Sequence, residues 1–196
     1  MGRCVLVENP GPAMNSTVSN AKRMKRQQGA IRIRKANHRD AAAIESLIYE
    51  SFLEYERAYA LEAFHITTPK KVEIERRIKH WTVWVALDAN VIVGTVSAHR
   101  EGESLHIRSM AVRPSMRGRG IGKLLLQCVE KFASANQYRR LILNTTPFLA
   151  SAIRLYEQFG FQLTGSERDW FGTTLRLMAK QVIQPHSCLT PLRPRR

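Results

Sequence analysis

The stretch from Met110 to Gly122 reads Met-Ala-Val-Arg-Pro-Ser-Met-Arg-Gly-Arg-Gly-Ile-Gly, and its residue types suit the holding of phosphate. Glycines at 118, 120 and 122 remove the Cβ atoms that would keep a ligand at a distance from the backbone. Arg117 and Arg119 add charge-assisted donors. An apolar pattern begins at the same point, with Ile121, Leu124, Leu125, Cys128, Val129 and Phe132 at helical spacing. A helix that starts at these glycines presents its first N–H groups, without internal partners, at the positive end of its dipole. A pyrophosphate is the natural guest of such a turn.

Two common phosphate loops are ruled out by their spacing. The P-loop requires Gly-Lys followed by Ser or Thr, but Leu124 follows Gly122-Lys123, and Arg117 stands where its first glycine belongs. The dinucleotide fingerprint requires glycine at 123 after Gly118 and Gly120, and Lys123 is there instead.

The elements that must position this turn follow from periodicity. Residues 30–35 alternate as a strand, and Asn37 caps a helix that buries Ile44, Leu47, Ile48, Phe52 and Tyr55. A second helix is expected from Pro69 to Lys79. Strands at 82–87 and 91–99 flank the turn Asp88-Ala89-Asn90, and Glu101-Gly102-Glu103 leads into a strand over 105–112. The glycine-led helix comes next, then a buried strand over 140–144. A helix opened by Thr146-Pro147 follows, burying Phe148, Leu149, Ala152, Ile153 and Tyr156 and stopping at Gly160. Residues 161–163 and 173–178 supply two more strands. Early hairpins and a late strand–helix–strand crossover predict an α/β (mixed α+β) domain: a twisted mixed sheet of about seven strands with helices on both faces.

The chain of 196 residues, 44% hydrophobic and 24% charged, suits one domain from 30 to 180 between a basic tail at 1–29 and a second tail at 181–196. No apolar run is long enough for a membrane span or a signal-peptide core, and Leu6 breaks the myristoylation pattern, so a cytoplasmic location is expected. Cys4, Cys128 and Cys188 form no pair with metal or disulfide spacing, Cys128 reads as core, and the histidines show no ligand spacing; no metal is expected. The net charge of +15 can recruit phosphate of any kind. Lys22-Arg23-Met24-Lys25-Arg26 has no interleaved aromatics, which makes it a weak nucleic-acid signal.

The pattern that the loop does satisfy is Arg/Gln-x-x-Gly-x-Gly/Ala, through Arg117, Gly120 and Gly122. Here the sequence resembles the GNAT N-acetyltransferase superfamily. Residues 105–112, with their Ala111-Val112 ending and Pro114 two residues on, resemble that family's fourth strand. Tyr156-Glu157-Gln158-Phe159-Gly160-Phe161 resembles its Tyr-Glu-x-x-Gly-Phe signature, and the element order fits from Ile31 to Met178.

The resemblance implies the GNAT fold and direct attack of an amine on acetyl-CoA. It assigns the backbone of Met110, Ala111 and Val112 to pantetheine, and Arg117, Gly118, Arg119, Gly120, Ile121 and Gly122 to the pyrophosphate. The thioester would lie between Met110 and Asn144, with Asn144 and Ser151 as further polar contacts. Tyr156 becomes the acid that protonates the departing thiolate. The family's Glu on the fourth strand is replaced by His106, a candidate base whose ordinary pKa of ~6.5 suits proton uptake near neutrality. Glu101, Glu103 or a water relay are alternatives. A second departure is Leu149, where many members carry a cofactor-contacting Asn.

The acceptor side should be the region 49–62, whose acids and tyrosines would suit a cationic amine but equally form a solvated helix face. A small amine is favoured, with a protein N-terminus or lysine as the rival acceptor. A nucleic-acid-binding protein and a non-catalytic CoA-binding module are the readings outside transfer, and a homodimer is compatible with the sequence.

Overall fold

The computed structural model describes residues 30–184. The tail read at 1–29, with its basic run, and residues 185–196 lie outside the described residues. One seven-stranded sheet runs in the order β1-β2-β3-β4-β5-β7-β6. Its strands are β1 (Arg32–Lys35), β2 (Thr82–Asp88), β3 (Val91–Glu101), β4 (Ser104–Val112), β5 (Arg140–Thr145), β6 (Gln162–Trp170) and β7 (Thr173–Gln181). The helices are α1 (Ala41–Phe52), α2 (Leu61–Thr67), α3 (Lys71–His80), α4 (Ile121–Ala135) and α5 (Ala150–Gln158). Among the described residues only β4 and β5 pair in parallel; the other neighbours are antiparallel. No helix among the described residues is long and apolar enough to cross a membrane.

Strand alternation divides the core between the two faces. Val83, Val85 and Leu87 of β2 pack with Ile44, Leu47 and Ile48 of α1 and Ile74 of α3. Trp84 and Ala86, the intervening residues, pack with α4 through Leu125, Leu126 and Val129. Asn37 accepts from the Arg39 N–H (3.0 Å) and donates its own N–H to Asp40 (2.7 Å), a reciprocal cap that starts a 3₁₀ turn leading into α1. Arg34 grips the same Asp40 carboxylate with two bonds of 2.7 and 2.8 Å, tying β1 to that turn.

Several elements depart from the sequence reading. Residues 53–58 form a 3₁₀ segment and α2 follows, where no helix was expected; seven residues are too few to display a period. Thr146-Pro147 does not open α5. The Leu149 N–H donates to the Thr146 carbonyl (3.1 Å), and the helix begins after that turn. Of the stripe expected on α5 only Tyr156 is fully buried, while Phe148 joins an aromatic group with Tyr59. β6 runs to Trp170 rather than 163, because a strand exposed along nearly its whole length carries no apolar alternation. The packed body also continues past 180: Val182 is buried and Gln184 donates to the Tyr138 carbonyl (2.8 Å).

On α4 the buried face is Ile121, Leu125, Leu126, Val129 and Ala133, whereas Leu124 is 38% exposed and Cys128 is half-buried at the edge of the core. Three consecutive leucines, 124 to 126, leave the phase of the stripe undetermined by one residue. Leu126→Ala is expected to cost about 2–5 kcal/mol and Leu124→Ala about 1 kcal/mol or less. Denaturant titration of the two variants checks the assignment, which equal losses would overturn.

Candidate active site

The turn between β4 and α4 is built by backbone geometry. Gly118 and Gly120 have φ of +75° and +74°, a region that residues with a Cβ rarely adopt, and a Cβ at either would meet nothing within 4 Å. These two glycines therefore serve chain direction and leave the space outside open. Gly122 is required by packing instead: a Cβ there would lie 2.7 Å from Leu155 and 3.2 Å from Met110. Gly120 caps α4, and its carbonyl accepts the Leu124 N–H (3.1 Å). The amides of Ile121, Gly122 and Lys123 make no backbone hydrogen bond among the described residues, and these residues line a cavity of about 530 Å³. Lys123, which the sequence reading used only to reject a P-loop, adds a cation to that wall.

The two arginines of the turn part company. Arg117 lines the cavity, donating to the Ser51 carbonyl (2.9 Å) and to Glu54 on the segment after α1. Arg119, expected to join it on phosphate, turns instead to Asp88 of the β2–β3 hairpin (3.2 Å) and to the Met116 sulfur (3.0 Å), and it is not part of the cavity wall. Two of the four acids of the 49–62 region are likewise engaged, Glu50 accepting from Arg113 (2.9 Å) and Glu54 from Arg117, while Glu56 and Glu62 are exposed away from the cavity wall. Glu50 and Glu54 serve the loop, and none of the four lines the cavity to meet a cationic acceptor.

A splayed pair of strands makes the cavity. β4 pairs with β5 from Ser104↔Arg140 to Ile107↔Leu143 and no further, although β4 continues to Val112. At Ser109, φ of +49° marks a bulge against β3, where Thr95 pairs with Ala111 but Ser97 pairs with Arg108. The bulge shifts the alternation by one residue. Leu105 and Ile107 face α4, as do Met110 and Val112, while Ala111 faces α1. The backbone of Met110, Ala111 and Val112 therefore borders the cleft without a β5 partner, and the Val112 carbonyl accepts from the Ser51 hydroxyl (3.2 Å). Asn144 and Ser151 line the same cleft; the Ser151 hydroxyl also accepts from Arg154 (3.2 Å).

His106, 4% exposed, lies one residue behind the cavity wall. Its Nδ1 is 2.6 Å from Glu101 Oε2, and the Asn144 side-chain amide donates to its Nε2 (3.1 Å). The hydrogen bond from His106 lowers the Glu101 pKa, so its ionised carboxylate can only accept; Nδ1 then carries the proton and Nε2 keeps a lone pair. Burial pushes the His106 pKa below the ordinary histidine value, against the raising effect of Glu101, so the ring is neutral and able to take up a proton. Behind it stand His99, with rings 5.1 Å apart, then Trp81 at 4.3 Å, then the Arg77 guanidinium 5.0 Å above the indole. Donor atoms of His99, Glu101 and His106 fall within 4.8 Å of one another, a grouping across two strands that linear spacing did not reveal. The 2.6 Å contact is that of a hydrogen-bonded pair, since two ligands of a tetrahedral zinc stand about 3.4 Å apart.

Tyr156 also lines the cavity, and burial raises its pKa, which keeps the hydroxyl protonated. Tyr59 also borders the space, its hydroxyl pushed up to about 12 by burial, with Phe148 edge-on at 4.8 Å. Ser51, Tyr55 and Tyr59 come from the region 49–62 expected on the acceptor side, whereas sequence reading missed Arg108 and Arg168 on this wall. Arg168 belongs to an exposed strand that gave no signal, and Arg108 sits in a stretch whose apolar neighbours suggested only a strand.

Comparison with known proteins agrees with this geometry. Residues 46–161 match the model of the Acetyltransferase (GNAT) family. Human N-acetylaspartate synthetase is 31% identical over 147 residues, covering 73% of this chain and 49% of that protein. The zebrafish (Danio rerio) protein of the same name is 36% identical over 89 residues, covering 44% and 32%. The chain thus spans less than half the length of these curated relatives. Among solved structures, a PaiA N-acetyltransferase from Thermoplasma acidophilum in complex with coenzyme A superposes with a TM-score of 0.68 at 18% identity, over 78% of this chain and 99% of that one.

Proposed function

The chain belongs to the GNAT acetyltransferase family, and from that premise we propose that it moves an acetyl group from acetyl-CoA to the primary amine of a small molecule. The observation that carries this reading is the opening of β4 from β5 directly onto the free amides at the start of α4. An extended pantetheine arm matches the backbone of Met110, Ala111 and Val112 that β5 leaves without a strand partner, as an added strand would. The amides of Ile121, Gly122 and Lys123, the turn at Gly118 and Gly120, and the Arg117 guanidinium match a pyrophosphate. Acetyl-CoA, when bound, supplies a thioester carbonyl activated toward attack.

The remaining chemistry falls to this chain's own groups. The neutral His106 behind the wall takes the proton from the acceptor ammonium by way of a water once Asn144, whose amide donates to its Nε2, gives up that position, and Glu101 stabilises the imidazolium that results. The Tyr156 hydroxyl, kept protonated by burial, donates to the departing sulfur. A small acceptor is supported by the tie between the β6–β7 hairpin and the segment before α2, where the Ala60 N–H donates to the Thr173 hydroxyl (3.0 Å) next to the wall residues Tyr59 and Trp170. The name shared by the relatives, N-acetylaspartate synthetase, also points to a small acceptor.

The test is a panel of small amines and peptides assayed for thiol release from acetyl-CoA. Turnover with small amines is expected, and Tyr156→Phe should lower kcat about tenfold or more while leaving acetyl-CoA affinity unchanged. Turnover confined to peptides would replace the acceptor class. A protein that binds acetyl-CoA but releases thiol with none of them would point to a non-catalytic module. Binding of RNA with a steep salt dependence in place of acetyl-CoA would favour the nucleic-acid reading.

A further inference from the structure

Three guanidinium groups from separate elements lie near one another, Arg108 of β4 and Arg168 of β6 on the cavity wall and Arg77 of α3 behind it. Arg77 is satisfied. It pairs with Glu73 (2.8 Å) and donates to the Ser109 hydroxyl (2.7 Å), which clamps the bulge of β4. Arg108 and Arg168 line the cavity and make no salt bridge or side-chain hydrogen bond among the described residues. The acids close enough to serve them are committed elsewhere: Glu73 to Arg76 and Arg77, Glu101 to His106, and Glu167, the neighbour of Arg168, to Arg176 (2.6 Å).

The cost of this arrangement shows at Arg108. Partly buried, it is destabilised as a cation first by desolvation and then by the like charges of Arg77 and Arg168, and its pKa is lowered accordingly. Two unpaired guanidinium groups on a cavity wall are an arrangement that an anion stabilises, and the planar fork of arginine matches a carboxylate in particular. The position is also informative. Arg108 precedes the splayed stretch of β4, whereas Arg117 and the amides of α4 follow it, so this cationic pair stands at the opposite end of the cleft from the pyrophosphate turn. Asn144, which bonds the candidate base, lies between the two ends on the facing strand.

We infer that Arg108 and Arg168 receive the carboxylate of the acceptor, so that the amine acetylated is that of a small anionic amino acid, a dicarboxylic one engaging both guanidinium groups. This rests on the acetyl-transfer reading of the same cleft and adds the charge of the substrate and the two residues that select it. It also reverses the expectation of a cationic acceptor drawn from Glu50, Glu54 and their neighbouring tyrosines.

The test compares aspartate and glutamate, glycine and β-alanine, phosphoethanolamine, and the carboxylate-free ethylamine and putrescine as acceptors at saturating acetyl-CoA. kcat/KM is expected to be highest for the dicarboxylic acids and to fall about tenfold or more when no carboxylate is present. Arg108→Gln and Arg168→Gln should each raise KM for the dicarboxylate about tenfold or more, with acetyl-CoA affinity unchanged. Arg108→Lys should recover part of the loss. Arg168 lies on an exposed strand, so its variant tests the idea even if Arg108→Gln does not fold. Calorimetric titration of aspartate into the CoA-saturated protein separates the two readings. Binding that is lost in Arg168→Gln, with no turnover, would keep the carboxylate site and sink acetyl transfer. Preference for putrescine or ethylamine, or equal kinetics in both Gln variants, would overturn the carboxylate site and leave acetyl transfer standing. Preference for phosphoethanolamine would reassign the pair to a phosphate.

Discussion

Arg117→Glu is expected to weaken acetyl-CoA binding by about a hundredfold, read as the calorimetric dissociation constant. The guanidinium is the charged side chain of the glycine-led turn that reaches the cavity, and its present partners, Glu54 and the Ser51 carbonyl, show it already directed at acceptor oxygens. Losing hydrogen bonds from a charged donor costs about 1.5–3 kcal/mol, and each 1.4 kcal/mol is about tenfold in affinity. The new carboxylate would also stand beside Glu54 and repel the phosphates. Two comparisons isolate the cause. Arg117→Lys keeps the charge and should lose less. Arg119→Glu should have the smaller effect on affinity, because Arg119 is turned to Asp88 outside the cavity wall. Equal losses at 117 and 119 would mean that net charge, not directed contact, governs binding, and an unchanged constant at 117 would remove the pyrophosphate assignment.

His106→Gln is expected to lower kcat by about 10²–10⁴-fold, the usual contribution of a positioned general base, with acetyl-CoA affinity retained. The pH profile carries the sharper test. In the native protein kcat/KM should fall as pH drops through the His106 pKa, and burial places that limb below the ordinary histidine value of about 6.5. The same limb should be absent from His106→Gln. Stability must be followed in parallel, because His99 and His106 both have lowered pKa values in the folded state. Below about pH 6.5 the unfolded chain binds protons that the native chain does not, so folding stability contributed by these rings is present above that pH and is lost as pH falls through their folded pKa values. Rates therefore count only where circular dichroism shows a folded protein. Asn144→Ala provides the complement: it removes the donor to Nε2 and leaves the ring intact. An acidic limb unchanged in His106→Gln would assign proton uptake to water or to another group.

Much of the site was legible because its signals are local. Gly118 and Gly120 mark a turn through positive φ, the periodic stripe after them marks a helix, and together they place unpaired amides before any tertiary contact is known. Tyr156 was legible as core because a single turn of helix fixes its side, and as candidate acid through the resemblance of Tyr156 to Phe161 to the family's signature. The seven strands and their mixed pairing followed from alternation and hairpin spacing. Where the local signal was weak the reading slipped: at α2, which is too short for a period, at β6, which is exposed on nearly its whole length, and at Leu124 to Leu126, where three identical side chains hide the phase.

What the sequence by itself determined is the glycine-led turn and the order of the strands, since each depends on backbone conformation or side-chain period within a few residues, while the two candidate proton-transfer residues came from the resemblance to the family's motifs. Only the tertiary structure decided which arginine faces the cleft, which acids are already paired, and how Glu101, His106 and Asn144 connect. Ion pairing and burial of charge depend on distances between residues far apart in the chain. The Arg117–Glu54 and Arg119–Asp88 pairs bridge separate elements, and Arg108 and Arg168 meet only because β4 and the β6–β7 hairpin border one cavity.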